Sequence, residues 1–184
     1  MEMELQTSRL RLFTVDDLTL TPLVLEYFKR NQAFLSAWEV AREDSFYTLQ
    51  AQQDLLINDM NYAASGQLVK LWLSRPGEER IIGSVALSNI VYGAFLSCHL
   101  GYRLDGAEEG KGYMTEALQA LIGYAFQELK LHRIEANIMP HNAASFRVVE
   151  KLGFSSEGLA RKYLKINGKW EDHVHMVLLN EAIE

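Results

Sequence analysis

From Thr115 to Leu129 the apolar residues Leu118, Leu121, Ile122, Ala125, Phe126 and Leu129 recur at steps of three and four, which places them on one face of an α-helix. The same spacing, carried by Leu49, Leu56, Met60 and Ala63, predicts a helix over Thr48–Ala64 that stops at Gly66. A third helical stretch, Leu18–Lys29, follows Asp16 and Asp17, residue types that suit an N-cap. Elsewhere the period falls to two. Strands are predicted at Thr7–Thr14, Leu68–Ser74, Arg80–Val91, Phe95–Leu104, Arg133–Met139, Phe154–Ile166 and Lys169–Leu179. The turn RPGEE joins the second and third of these, and Asn167–Gly168, a strong hairpin signal, joins the last two. A short helix over Asn142–Leu152 ends at Gly153.

The resulting order, β-α-α-β-β-β-α-β-α-β-β, predicts one α/β (α+β) domain over residues 1–184. Its central sheet has about seven strands and flanking helices. Hairpin connections make that sheet mostly antiparallel. The helix between Phe95–Leu104 and Arg133–Met139 is a crossover, so those two strands are predicted to be parallel.

Composition narrows the setting. The chain has 184 residues, 48% of them hydrophobic and 23% charged, as in ordinary globular proteins. Its one cysteine, Cys98, excludes an intramolecular disulfide and suits a reducing compartment. The N-terminus MEMELQTSRL has no apolar run, and no stretch reaches the ~18 apolar residues of a membrane span. A cytoplasmic protein with no membrane partner is expected. The net charge of −6 disfavours direct nucleic-acid binding, which draws its affinity from Lys and Arg, and makes a basic partner easier.

Between the parallel strands lies EEGKGYMTEAL, residues 108–118. Two glycines before a helix fit a tight turn with a cap. They also fit an anion site, because glycine lets the backbone approach a ligand and the helix start presents unpaired N–H groups. The spacing is neither that of a P-loop nor GxGxxG. Downstream, LHRIEANIMPHNAASFRVVEKLGF, residues 131–154, joins a strand ending at Met139–Pro140 to Asn142, Ser145 and a helix ending in LGF. The two clusters together resemble the acetyl-coenzyme A site of the GNAT N-acetyltransferase superfamily. Trp38–Glu39, SNIVYGAFLSCHLGY from Ser88, HRIEANIMPHN from His132 and KYLKINGKWEDHV from Lys162 are similar to the RimJ/RimL branch, and most to its RimJ-type ribosomal-protein-alanine N-acetyltransferases. The resemblance spans nearly the whole chain.

The resemblance implies a splayed pair of parallel strands and transfer of an acetyl group from acetyl-CoA to the α-amino group of a ribosomal protein. It places the pyrophosphate on the turn Gly110, Lys111, Gly112, Tyr113, Met114 and Thr115. The pantetheine arm would lie along Tyr102 and Leu104, with Asn142 on its other side. Two positions depart from the family pattern. Glu109 stands where Gln or Arg is usual, and a carboxylate beside phosphate is unfavourable, so it is left out of the ligand set. Val149 stands where many members carry a Tyr that protonates the departing thiolate, which makes Ser145 the candidate acid.

Three further groups are candidates for the chemistry. Glu135 could accept a proton or simply pair with a basic neighbour. His99 could do the same or face solvent. Glu39, beside Trp38, could receive the acceptor's ammonium group or be a solvated loop carboxylate. His173 and His175 alternate on one strand and read as a strand pair rather than a metal site, since no third ligand has the spacing. Cys98 reads as a small buried hydrophobe. Acetylation of a small-molecule amine, or acetyl-CoA binding without catalysis in a sensor or ribosome-assembly protein, are the alternative functions. A homodimer stays open.

Overall fold

The structure, a computed structural model, describes residues 3–184. Among these residues an eight-stranded sheet runs in the order β1-β2-β3-β4-β5-β6-β8-β7. Its strands are β1 Glu4–Gln6, β2 Arg11–Phe13, β3 Leu68–Ser74, β4 Gly83–Val91, β5 Ser97–Leu104, β6 Arg133–Ile138, β7 Ser155–Ile166 and β8 Lys169–Leu179. Neighbours are antiparallel except β5 and β6, which the crossover makes parallel. Helices α1 (Thr21–Leu35) and α2 (Leu49–Ala64) cover one face, and α3 (Tyr113–Gln127) and α4 (Ala143–Lys151) cover the other. No helix among the described residues is long and apolar enough to cross a membrane.

Alternation along the strands feeds two cores. On β3, Leu71 and Leu73 turn toward α3, whose Leu118, Leu121 and Ala125 are fully buried. Trp72 turns the other way and meets Tyr27 and Phe28 of α1 edge-on, at ring-centroid distances of 6.1 and 6.0 Å. Each such large side chain contributes about 1.5–3 kcal/mol by leaving water.

Among the described residues the sheet has eight strands rather than about seven, and several element bounds differ from the sequence expectation, two of them for reasons visible in side-chain bonds. The strand expected over Thr7–Thr14 is shortened to β2, because Thr7–Leu10 forms a turn, in which the Thr7 hydroxyl accepts from the Leu10 N–H at 3.0 Å, and an additional strand, β1, precedes that turn and pairs with β2. Helix α1 starts at Thr21 rather than Leu18. Asp17 turns its carboxylate onto the Thr19 N–H at 2.7 Å, and Pro22, suited to a first helical turn, sets the start.

The parallel pair shapes the functional cleft. Strands β5 and β6 register as Ser97↔Arg133, Cys98↔Ile134 and His99↔Glu135, and then part. Beyond that point β5 follows β4 as far as Leu104, and β6 follows β8 as far as Ile138. Polar anchors hold the far end of β5 away. The Asp105 carboxylate accepts from Arg30 Nε and Arg80 Nη2, both at 2.9 Å, and Asn31 Oδ1 accepts from the Gly106 N–H at 3.0 Å. The wedge therefore has two strand edges whose backbone groups face each other without partners across it.

Candidate active site

The wedge opens into a cavity of about 360 Å³. Leu100, Tyr102 and Leu104 of β5 line it on one side, and Ala136, Asn137 and Ile138 of β6 on the other. The glycine turn closes one end. Gly110 and Gly112 have φ of +75° and +81°, and Gly112 is the left-handed cap from which α3 starts, two residues earlier than expected. The N–H groups of Tyr113, Met114 and Thr115 occupy the first turn, where a helix has no internal partner for them and is electrically positive. Thr115 lies inside the helix and lines the cavity, so the cap is Gly112.

Ion pairs hold this turn, each joining a buried or half-buried carboxylate to a partly exposed cation. Glu108 accepts from Arg75 Nη2 at 2.5 Å and from Lys111 Nζ at 2.9 Å. Burial pushes its carboxyl up, but these two cations outweigh that and hold it below the usual range. Glu116, in the first turn of α3, takes the Arg9 guanidinium at 2.7 Å, and Arg9 also donates to the Lys111 carbonyl at 2.8 Å. Lys111 thus serves the turn through its backbone, while its ammonium is held by Glu108 and does not line the cavity. Glu109, left out of the ligand set, is exposed and lines the cavity rim.

A fit to an anionic, extended cosubstrate rests on these groups: a helix start with free N–H donors, glycines in a conformation that excludes a Cβ, and a strand edge without a partner. We expect Gly112→Ala to weaken coenzyme A binding about tenfold in calorimetric titration. Alanine pays about 1–2 kcal/mol in the left-handed region, and its Cβ would lie 3.3 Å from Arg9 Nη2.

Asn142 caps α4, its Oδ1 accepting from the Ser145 N–H at 3.2 Å. That bond points Ser145 at β5, where its Oγ is hydrogen-bonded to the Tyr102 hydroxyl. Burial pushes the Tyr102 phenol up to about 12, and the bond to Ser145 opposes the rise. Val149, where the family pattern places a Tyr, is fully buried in the core. A phenol is nevertheless present in the cleft, delivered by β5 instead of α4.

Trp38 and Glu39 also line the cavity. The Trp38 ring lies over His141, with centroids 5.5 Å apart and planes 32° apart. Glu39 accepts from Arg103 Nε at 2.7 Å. Leu35 and Glu39 are shared with a second cavity of about 170 Å³ that also holds Arg42, Phe46 and Tyr47.

Glu135 and His99 sit at the last paired register, just short of the wedge, and neither lines the cavity. Glu135 takes Arg133 at 3.0 Å and His175 Nδ1 at 2.7 Å. Burial raises its carboxyl, but the bonds from Arg133, His175 and Asn137 dominate and hold it low. A carboxylate so engaged is a weak base. His99 bonds Asn89 at 3.1 Å through Nδ1, and its Nε2 is 3.7 Å from Glu135. The cavity instead includes His173, together with Arg147 and Lys151 of α4. The i, i+4 spacing of the two cations was available in the sequence. His173 carried no such signal, because its place depends on how β8 lies against β6.

Residues 17–155 match the acetyltransferase (GNAT) domain, and the chain belongs to that family: it is an acetyltransferase. It is 43% identical over 150 residues to "Probable N-acetyltransferase YjcK" of Bacillus subtilis (strain 168), covering 82% of this chain and 83% of that one. It is 40% identical over 149 residues to the ribosomal protein uS5-alanine N-acetyltransferase of Escherichia coli (strain K12), covering 81% and 77%. The structure of ribosomal-protein-S5-alanine acetyltransferase from Vibrio fischeri matches it with a TM-score of 0.92 at 32% identity, over 99% of both chains.

Proposed function

We propose that this acetyltransferase moves the acetyl group of acetyl-CoA to the N-terminal α-amino group of a protein, a ribosomal protein beginning with Ala or Ser. The amine attacks directly while both substrates are bound. The observation that carries the reading is the parting of β5 and β6 beyond His99 and Glu135, with the glycine turn at one end. The free edge of β5 at Tyr102 and Leu104 offers backbone partners to an extended pantetheine arm. The N–H groups of Gly110 to Thr115, with Asn142 opposite, suit its phosphate end. The protein relatives that act on a ribosomal-protein alanine support the acceptor class. So does the second cavity beyond Leu35 and Glu39, because a peptide acceptor needs room past its amine and a small amine does not.

Acetyl-CoA, when bound, supplies the thioester carbonyl. The chain holds amine and thioester together, which removes the cost of a bimolecular encounter. A backbone N–H of β5 between Leu100 and Tyr102 faces the carbonyl oxygen as it gains charge. Tyr102 and Ser145 meet the departing sulfur. His99 and Glu135 brace the floor of the wedge.

The reading is tested by following thiol release from acetyl-CoA with peptides starting in Ala, Ser or Met and with a set of small amines. Turnover confined to Ala- or Ser-starting peptides is expected. Turnover confined to small amines would keep the chemistry and overturn the acceptor.

A further inference from the structure

Asn137 lines the wedge from β6, yet its Oδ1 is buried and has no hydrogen-bond partner. A buried polar atom without a partner is uncommon and calls for a cause. The other end of the amide is engaged: Nδ2 donates to the Tyr163 hydroxyl at 3.4 Å and also interacts with Glu135. Oδ1 is therefore left as an acceptor with no donor among the described residues.

His173 stands beside it. Asn137 pairs with His175 across β6 and β8, and His173 lies two residues along β8 on the same face. Its Nδ1 is 3.1 Å from the Glu171 carbonyl oxygen, and a carbonyl can only accept. That contact puts the proton on Nδ1 and leaves Nε2 with a free lone pair. Tyr163 fixes both rings from above, at 5.5 Å from His173 and 5.0 Å from His175. A bulge in β7 between Ala160 and Leu164, where the Lys162 N–H is held by Asp172 at 2.7 Å, carries Tyr163 over β8. The result is two lone pairs, one from an amide oxygen and one from an imidazole nitrogen, in the wall of a cavity and without donors among the described residues.

We propose that Asn137 and His173 form the seat of the attacking amine. Asn137 Oδ1 accepts one amine N–H and aims the nitrogen at the thioester, and His173 Nε2 takes the proton the nitrogen gives up. In the step, the amine nitrogen bonds to the carbonyl carbon and the carbon–sulfur bond breaks. The sulfur leaves with the bonding pair as a thiolate that accepts hydrogen bonding from the Tyr102–Ser145 hydroxyl pair and takes a proton from solvent to end as the thiol, while the proton shed by nitrogen rests on His173 and passes to solvent, so that no net proton is lost or gained. This assignment deepens the proposed function and rests on its chemistry, but not on what the amine is attached to.

The test is steady-state kinetics with whichever acceptor class the wild type acetylates, peptide or small amine, alongside coenzyme A titration of each variant. Asn137→Ala is expected to raise the acceptor KM about tenfold, the loss of one buried hydrogen bond, and to leave the acetyl-CoA KM within about twofold. Asn137→Asp, which keeps an acceptor oxygen, should recover part of that. His173→Ala and His173→Gln should each lower kcat about 100-fold with little change in acceptor KM. Added imidazole should raise the rate of His173→Ala and not of His173→Gln. Wild-type coenzyme A affinity in each variant shows that the fold survives. An unchanged acceptor KM in both Asn137 variants, or a kcat within about threefold of wild type in either His173 variant, overturns the seat. If only small amines react, the ribosomal acceptor falls and the seat is judged by the same ratios. If the wild type binds coenzyme A and acetylates no amine of either class, both fall.

Discussion

Tyr102→Phe is expected to lower kcat about 100-fold while coenzyme A binding stays within about twofold of wild type. The variant removes one oxygen, from a side chain that still packs between β5 and α4. The phenol, at about 12, stays protonated at neutral pH. A free thiol near 8.5 is a much stronger acid, so complete transfer from the phenol to the thiolate is uphill by about 5 kcal/mol. Tyr102 thus acts by donating a hydrogen bond rather than by giving its proton away. Ser145 Oγ, bonded to that hydroxyl, can accept from the phenol and turn its own proton to the sulfur. Ser145→Ala should then cost as much as Tyr102→Phe, and the double variant little more, since residues acting as one unit are not additive. Full activity in Ser145→Ala with a large loss in Tyr102→Phe would make the phenol the direct donor. Full activity in both would remove the pair from the reaction. The check is kcat for the two single variants and the double.

The second large effect is on stability. Asp105 is buried and binds three elements together. It accepts from Arg30 of α1, from Arg80 before β4, and from the Ala107 N–H at 3.0 Å. Asp105→Ala takes the shared carboxylate from two guanidinium groups, of which Arg30 keeps Glu26 at 3.0 Å, and frees the end of β5. Because both guanidinium groups keep some access to water, the cost falls at the low end for a broken buried pair, about 3 kcal/mol. Asp105→Asn should recover part of it by keeping the bond to Ala107. Urea unfolding measures both, and a loss under about 1 kcal/mol in Asp105→Ala would refute the anchor. The same site sets an acid limit. For Asp105, burial raises the carboxyl, but the bonds from Ala107, Arg80 and Arg30 together hold it below its usual value. Glu108 is held low by Lys111 and Arg75. For a carboxylate depressed in the folded state, the stabilisation is complete above the unfolded value near 4 and is lost as pH falls through the lower folded value. Unfolding free energy should therefore be flat at neutral pH and fall steeply below about pH 4, with a shallower fall in Asp105→Asn.

Much of this protein can be read along the chain because the signals are local. Glycines at 110 and 112 mark a left-handed turn wherever it lies in space, since only a residue without a Cβ adopts that conformation cheaply. The apolar spacing of α3, the Asn167–Gly168 hairpin and the crossover between the parallel strands follow from periods and turn chemistry over short windows. Even the two clusters that resemble a GNAT site are continuous runs. The later start of α1 and the shortening of the first expected strand to β2 are also local, but there side-chain bonds from Asp17 and Thr7 compete with the periodic signal.

The chemistry inside the cleft is a different matter. Tyr102 and Ser145 are 43 residues apart and meet because β5 and α4 close on the same gap. Val149 in the sequence suggests a missing phenol, and only the packed structure supplies one from another element. Glu135 has a plausible base's residue type, but Arg133 and His175 occupy its carboxylate. His173 looks like half of a strand pair until β8 is placed beside β6. The sequence by itself determined the family, the element order and the backbone turn that can receive an anion, because these depend on local conformation and hydrophobic period. Tertiary structure alone decided where β5 and β6 part, which polar atoms are left without partners there, and hence which side chains can touch the reacting atoms. Those depend on distances between residues far apart in the chain.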